Sequence, residues 1–95
     1  MSVNKQQEEN KKQELPEVNF SMFILSLNTS ALVHLGQIPD PLTQEKKVDL
    51  PLARHTIDTL QMLREKTKGN LTKEEERLLD SILYELRILY LKASA

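Results

Sequence analysis

The side chains best suited to acid–base chemistry near neutral pH are two histidines, each with a carboxylate close by in sequence. His34 is followed six residues later by Asp40. An imidazole beside a carboxylate can relay a proton or anchor a polar ligand. His34 also falls in the last turn of a predicted helix. There the helix dipole favours its protonated form and burial opposes it, and a hydrogen-bonded cap is the simpler role. A lone histidine lacks the nucleophile and orienting partner that catalysis requires, so the capping role is the expectation. His55 stands near Asp58 and Thr59 on a polar helix face and is expected to be solvated. Glu74, Glu75 and Glu76 suggest a metal cluster at first sight. Consecutive helical residues point in different directions, so these three cannot converge on one ion, and a helix start explains them better.

Other reaction chemistry lacks its parts. Gly36 and Gly69 are the only glycines, too far apart to build a phosphate-cradling loop or a dinucleotide turn. There is no HExxH pair and no nucleophile elbow. The absence of cysteine excludes a disulfide framework, a thiolate zinc site and a thiol nucleophile. No catalytic, cofactor-binding or metal-ligating residue is assigned, and no cofactor is expected. The leading expectation is a non-enzymatic interaction protein. The alternative is a small enzyme or ligand-binding domain using His34 and Asp40.

The elements that would hold these residues are helical. Ninety-five residues allow one domain. Apolar residues make up 39%, but with two Phe, two Tyr and no Trp, leucine must fill most of the core. Thirteen basic and fourteen acidic residues leave a formal charge of −1, which gives no reason to expect nucleic acid or an anionic membrane as partner. Residues 1–17 are polar, lack the apolar stretch of an export signal, and read as a disordered tail ending near Pro16. A cytoplasmic location is expected. Between Glu17 and Asp40 there is no Asp, Glu, Lys or Arg, a run near the roughly 20 residues that cross a bilayer. Asn19, Ser21, Ser26, Asn28, Thr29, Ser30, His34 and Gln37 interrupt it, so no membrane span is expected.

Residues 18–95 are expected to form an all-α, three-helix bundle-like domain, with helices over about 20–35, 50–68 and 73–93. Asn19 is a good N-cap for the first helix, with Val18 and Phe23 placed for a hydrophobic staple. Gly36 suits the left-handed stop, and Pro39 and Pro41 prevent continuation. Asp49 and Pro51 open the second helix, and Gly69 follows it. Thr72 to Glu75 spells a capping box for the third. The connection over residues 37–48, QIPDPLTQEKKV, is long and stiff. Its expected role is a rigid cover over an apolar helix. Otherwise His34, Ile38, Pro39, Asp40 and Pro41 form a ligand or partner loop.

Two helices carry more apolar surface than one face. In the first, Phe20, Phe23, Ile24, Leu27, Ala31 and Leu35 share a stripe, while Met22, Leu25, Leu32 and Val33 fall opposite. In the second, Leu52, Ala53, Ile57, Leu60 and Leu63 make a single stripe with Met62 opposite. In the third, Leu79, Ile82, Leu86 and Leu89 face inward, and Tyr84, Ile88 and Leu91 sit on the far side. A small domain is marginal alone, and exposed apolar patches of that size are rare in monomers. A homo-oligomer is therefore expected, a two-fold dimer first. Its interface residues would be Met22, Leu25, Leu32, Val33, Tyr84, Ile88 and Leu91. An unidentified protein partner is the other occupant considered.

Three stretches carry a resemblance to a known family: FSMFILSLNTSALVHLGQIPDP, LPLARHTIDTLQMLREKTKGNLTKEEERLL and LYELRILYL, in that order. ALVHLG-x-IPDP and EKTKGNLT are its most specific parts. From Phe20 to Leu91 the chain resembles the bacterial family known as domain of unknown function 1844. The resemblance implies a short helical domain and brings no activity, cofactor or substrate with it.

Overall fold

The computed structural model describes residue 15 and residues 17–95. Apart from Leu15 and Glu17, the tail expected over residues 1–17 lies outside the described residues. Three helices follow: α1 (Phe20–His34), α2 (Leu50–Lys66) and α3 (Lys73–Ser94). Each packs against the other two. Among the described residues, no helix is long and apolar enough to cross a membrane.

The helix ends form where the capping residues fall. Asn19 is extended, and its Oδ1 accepts from the Met22 N–H at 2.8 Å. Asp49 does the same for the Leu52 N–H at 3.1 Å, with Pro51 in the first turn where no partner is needed for its nitrogen. At α3 the capping box is complete: Thr72 Oγ1 accepts from the Glu75 N–H at 3.1 Å, and Glu75 Oε1 accepts from the Thr72 N–H at 2.8 Å. The expected staple at α1 does not form, because Val18 is 97% exposed and touches too little to clamp Phe23.

α1 stops in a Schellman turn. The Gly36 N–H donates to the Val33 carbonyl at 3.0 Å and the Gln37 N–H to the Leu32 carbonyl at 2.9 Å. Gly36 takes φ +73°, which a side chain would strain. The chain then returns across its own helix end: Leu35 bridges to Val48, and the Asp49 N–H donates to the His34 carbonyl at 2.7 Å. α2 ends at Lys66, two residues before the expected Lys68, because the Thr67–Asn70 turn takes over there, with Gly69 at φ +83°.

The core is one cluster. Ile24, Ala31 and Leu35 come from the first helix and its cap, Ala53, Ile57 and Leu60 from α2, and Leu79, Ile82, Leu83 and Leu86 from α3. The buried arcs of α1 and α2 lie slightly off the expected stripes. Phe23 is 49% exposed: at about 100° per residue it stands a quarter-turn or so from the Ile24–Ala31–Leu35 line, at the rim of the buried face. Leu32, placed on the outer side by the sequence, packs partly against the core from the other rim. Leu52 is also half-exposed, whereas Thr56 is buried and donates its hydroxyl to the Leu52 carbonyl at 3.0 Å. That internal bond is why a polar residue is tolerated there.

Candidate functional site

The return loop is built around Asp40. Its N–H donates to the Glu45 carbonyl at 3.0 Å, its carbonyl accepts from the Gln44 N–H, and its Oδ1 accepts from the Leu42 N–H at 2.7 Å. These bonds close an Asx turn. Leu42 is held at its tip, 91% exposed. Ile38 is half-buried and both loop prolines are exposed.

His34 and Asp40 line one hollow of about 330 Å3, together with Val33, Thr43, Glu45, Lys47, Asp49 and Leu52. They also border a second of about 240 Å3, with Thr29, Ser30, Val33, Pro41 and Leu42. Among the described residues, no carboxylate comes within ion-pair distance of the His34 ring, and no hydrogen bond holds it. Asp40 and Asp49 already accept backbone N–H groups through Oδ1, one for the turn and one for the α2 cap. The hollow therefore gathers charge without an oriented donor–acceptor pair, which general acid–base work needs. No group of His, Asp or Glu among the described residues is arranged to hold a metal ion. His55 is exposed on α2. Glu74, Glu75 and Glu76 occupy the first turn of α3, where the dipole favours them.

The sequence-predicted interface residues divide by exposure. On α1, Met22 is 43% and Leu25 38% exposed, with Phe23 beside them, while Val33 is half-buried. Leu32 is the one drawn toward the chain's own core. On α3, Tyr84 is 68% and Leu91 67% exposed, and Ile88 is half-buried. Met62 is half-exposed on the far side of α2, as its position opposite the stripe implies.

α1 has no Asp, Glu, Lys or Arg, and His34 is its one ionisable residue. Two of its outward hydroxyls are internally occupied. Ser26 Oγ donates to the Phe23 carbonyl at 2.6 Å, and Thr29 Oγ1 to the Leu25 carbonyl at 3.1 Å.

Between α2 and α3 runs a groove that sequence reading missed. Two adjoining hollows of about 340 and 480 Å3 share Arg87 and Leu91. Tyr84, Ile88, Tyr90 and Leu91 supply apolar lining. The rim carries ion pairs: Arg54 with Asp58 at 3.4 Å, and Arg64 with Asp80 at 2.6 Å and Glu76 at 3.5 Å. Arg87 donates to Gln61 across the groove. The hydrogen bond to Asp80 raises the Arg64 pKa, partial desolvation opposes it, and the charges of Asp80 and Glu76 raise it further. Arg64 and Asp80 lie sixteen residues apart on different helices, so no i,i+4 pattern could have revealed their pairing.

Comparison with curated proteins and with solved structures finds no match. Residues 17–92 match the family model described as Domain of unknown function (DUF1844), and the chain belongs to that family.

Proposed function

We propose that the chain is a non-enzymatic interaction protein that self-associates through the apolar faces of α1 and α3. The observation that carries this reading is the outward side of α1. A helix with no Asp, Glu, Lys or Arg leaves Met22, Phe23 and Leu25 between a third and a half exposed. Tyr84 and Leu91 on α3 are more exposed still.

Magnitudes set what such faces can do. Completing the burial of one half-exposed large apolar side chain contributes on the order of 1 kcal/mol. A two-fold interface counts each such residue twice. Association costs an estimated 4–15 kcal/mol in lost freedom, so a few side chains do not suffice and the faces must be covered as continuous patches. Sedimentation velocity at tens of micromolar, a range where modest interfaces hold, tests the reading. A dimer or larger species is expected, and a monomer of 11.0 kDa overturns it.

The alternative, a ligand site at His34 and Asp40, draws support from the hollow that the two share. Against it stands the prior use of Asp40 and Asp49 in backbone capping. The α2–α3 groove, with its apolar lining and paired rim charges, is the surface best suited to a different protein's helix.

A further inference from the structure

The outward line of α1 reads Met22, Ser26, Thr29, Val33, at spacings of four, three and four. That is the seam period of paired helices, and it is the same read backwards. Reversing the helix sets Met22 against Val33 and Ser26 against Thr29. The flanks follow, with Phe23 against Ser30 and Leu25 against the part of Leu32 that its own core leaves uncovered. Each pairing is apolar on apolar, large on small, or hydroxyl on hydroxyl. From this we propose that α1 packs antiparallel against α1 of a second copy, about a two-fold axis at the height of Leu27 and Asn28. The inference rests on the self-association reading and adds its geometry.

Three further observations choose a second copy as the occupant. The first is charge. The outward side of α3 mixes Arg77, Asp80, Glu85, Arg87 and Lys92, and α2 exposes Arg54, Asp58, Glu65 and Lys66. Among the described helices, α1 alone offers a face with no Asp, Glu, Lys or Arg, so the helix pair itself buries no carboxylate, ammonium or guanidinium. The second is hydrogen bonding. Ser26 and Thr29, at the centre of the seam, already donate to carbonyls of their own helix, and a close neighbour leaves neither donor stranded.

The third is shape. The reversed helix carries Met22 and Phe23 of one copy toward Val33 and Ser30 of the other. A hollow of about 240 Å3 lies at that spot, walled by Thr29, Ser30, Val33 and His34 on one side and by Asp40, Pro41 and Leu42 on the other, with the Asp40 carboxylate already accepting from the Leu42 N–H. It receives a large side chain, and Leu42, 91% exposed, closes over it. A specific interface removes about 1,200–2,000 Å2 from water. One short helix pair falls below that, and the loop tips of both copies extend it. A parallel pairing stacks Met22 on Met22 and leaves both hollows unfilled.

The chain has no cysteine, so single thiols report cleanly. Met22→Cys and Val33→Cys variants are refolded separately and as an equal mixture, oxidised, and resolved by mass. The antiparallel seam predicts a mixed disulfide dimer at least ten times more abundant than either self-pair. Met22 and its symmetry mate stand 11 residues apart along the seam, about 16 Å at 1.5 Å per residue and beyond disulfide reach. Phe23→Cys with Ser30→Cys repeats the test at two exposed positions that leave the core intact. Equal self-pairing of Met22→Cys indicates parallel helices and overturns the proposal. So does an unmodified protein that sediments as a dimer while neither mixed pair forms, which moves the seam elsewhere and leaves self-association standing. An unmodified protein that sediments as a monomer removes both.

Discussion

Gly36 and Gly69 are both left-handed, at φ +73° and +83°, and alanine at either must strain the backbone. For an L-residue that conformation costs roughly 1–2 kcal/mol, and the stiffer unfolded chain returns about 0.4–1 kcal/mol. The two sites differ in one respect. A Cβ at Gly69 meets nothing within 4 Å, whereas a Cβ at Gly36 sits 2.9 Å from Val48 Cγ2. Val48 cannot retreat freely, because it bridges to Leu35 and precedes the Asp49 N–H bond to His34. Relieving such overpacking adds on the order of 1 kcal/mol. Gly69→Ala is therefore expected to lose about 1 kcal/mol and Gly36→Ala about 2 kcal/mol, from the same strain with and without the clash. For a domain of this size those losses lower Tm by about 4–8 °C and 8–16 °C. Thermal melts and urea titrations at one fixed concentration measure both. Val48→Ala removes the offending methyl, so in the Gly36→Ala background it should cost about 1 kcal/mol less than the two single changes added. Equal losses at the two glycines, or strict additivity with Val48→Ala, refute the steric reasoning.

The other expected outcomes follow from burial and capping. Leu60→Ala removes a fully buried side chain at the centre of the cluster and should cost about 2–5 kcal/mol in urea, whereas Leu42→Ala at the exposed loop tip should change stability by less than about 0.5 kcal/mol. Thr72→Ala removes the hydroxyl that accepts from the Glu75 N–H, leaves the backbone bond to the Glu75 carboxylate, and should cost about 1 kcal/mol, visible as fraying of the α3 start in amide exchange. Asp80→Asn weakens the link between α2 and α3. Asp80 is more than half exposed, so solvent screening keeps the loss small, and it should shrink further in 1 M salt.

How much of this was legible in the sequence depended on how local the signal was. Asn19, Asp49 and Thr72 name the helix starts because a cap acts within three residues, and Gly36 and Gly69 name the stops because few other residues accept a positive φ. Leu79, Ile82 and Leu86 were readable because α3 is clearly amphipathic. α1 was harder. Its apolar residues surround the axis, so periodicity could not fix which arc faces inward, and Phe23 and Leu32 exchanged sides. Thr56 was missed because a hydroxyl bonded to its own helix can be buried like a valine. His34 and Asp40 line one hollow because the loop returns across the end of α1. The absence of any bond between the ring and a carboxylate, and the α2–α3 groove with its Arg64–Asp80 link, depend on tertiary packing that no local pattern encodes.

An outward helix face is usually marked by charge; α2 and α3 carry such charge, α3 beside its exposed Tyr84 and Leu91, while α1 carries none. Such a face stays in water only if its polar atoms favour solvent over a neighbour. The candidates on the central seam are Ser26 and Thr29, but both hydroxyls donate within the helix, so covering them leaves no donor unmade. Cover gains apolar burial from Met22, Phe23 and Leu25 on both copies, while exposure gains little. The return loop points the same way. Gly36 reverses the chain, Asp40 gives its carboxylate to the Leu42 N–H, and an apolar tip is fixed beside that face instead of being folded under. A contact that needs this loop ties association to the Asp40 turn. Binding that favours the folded state raises its stability by mass action, so Tm should climb with protein concentration. The climb should flatten in Asp40→Ala, which removes the carboxylate that holds the Leu42 N–H. A Tm independent of concentration in the unmodified protein would separate the loop's construction from any partner copy.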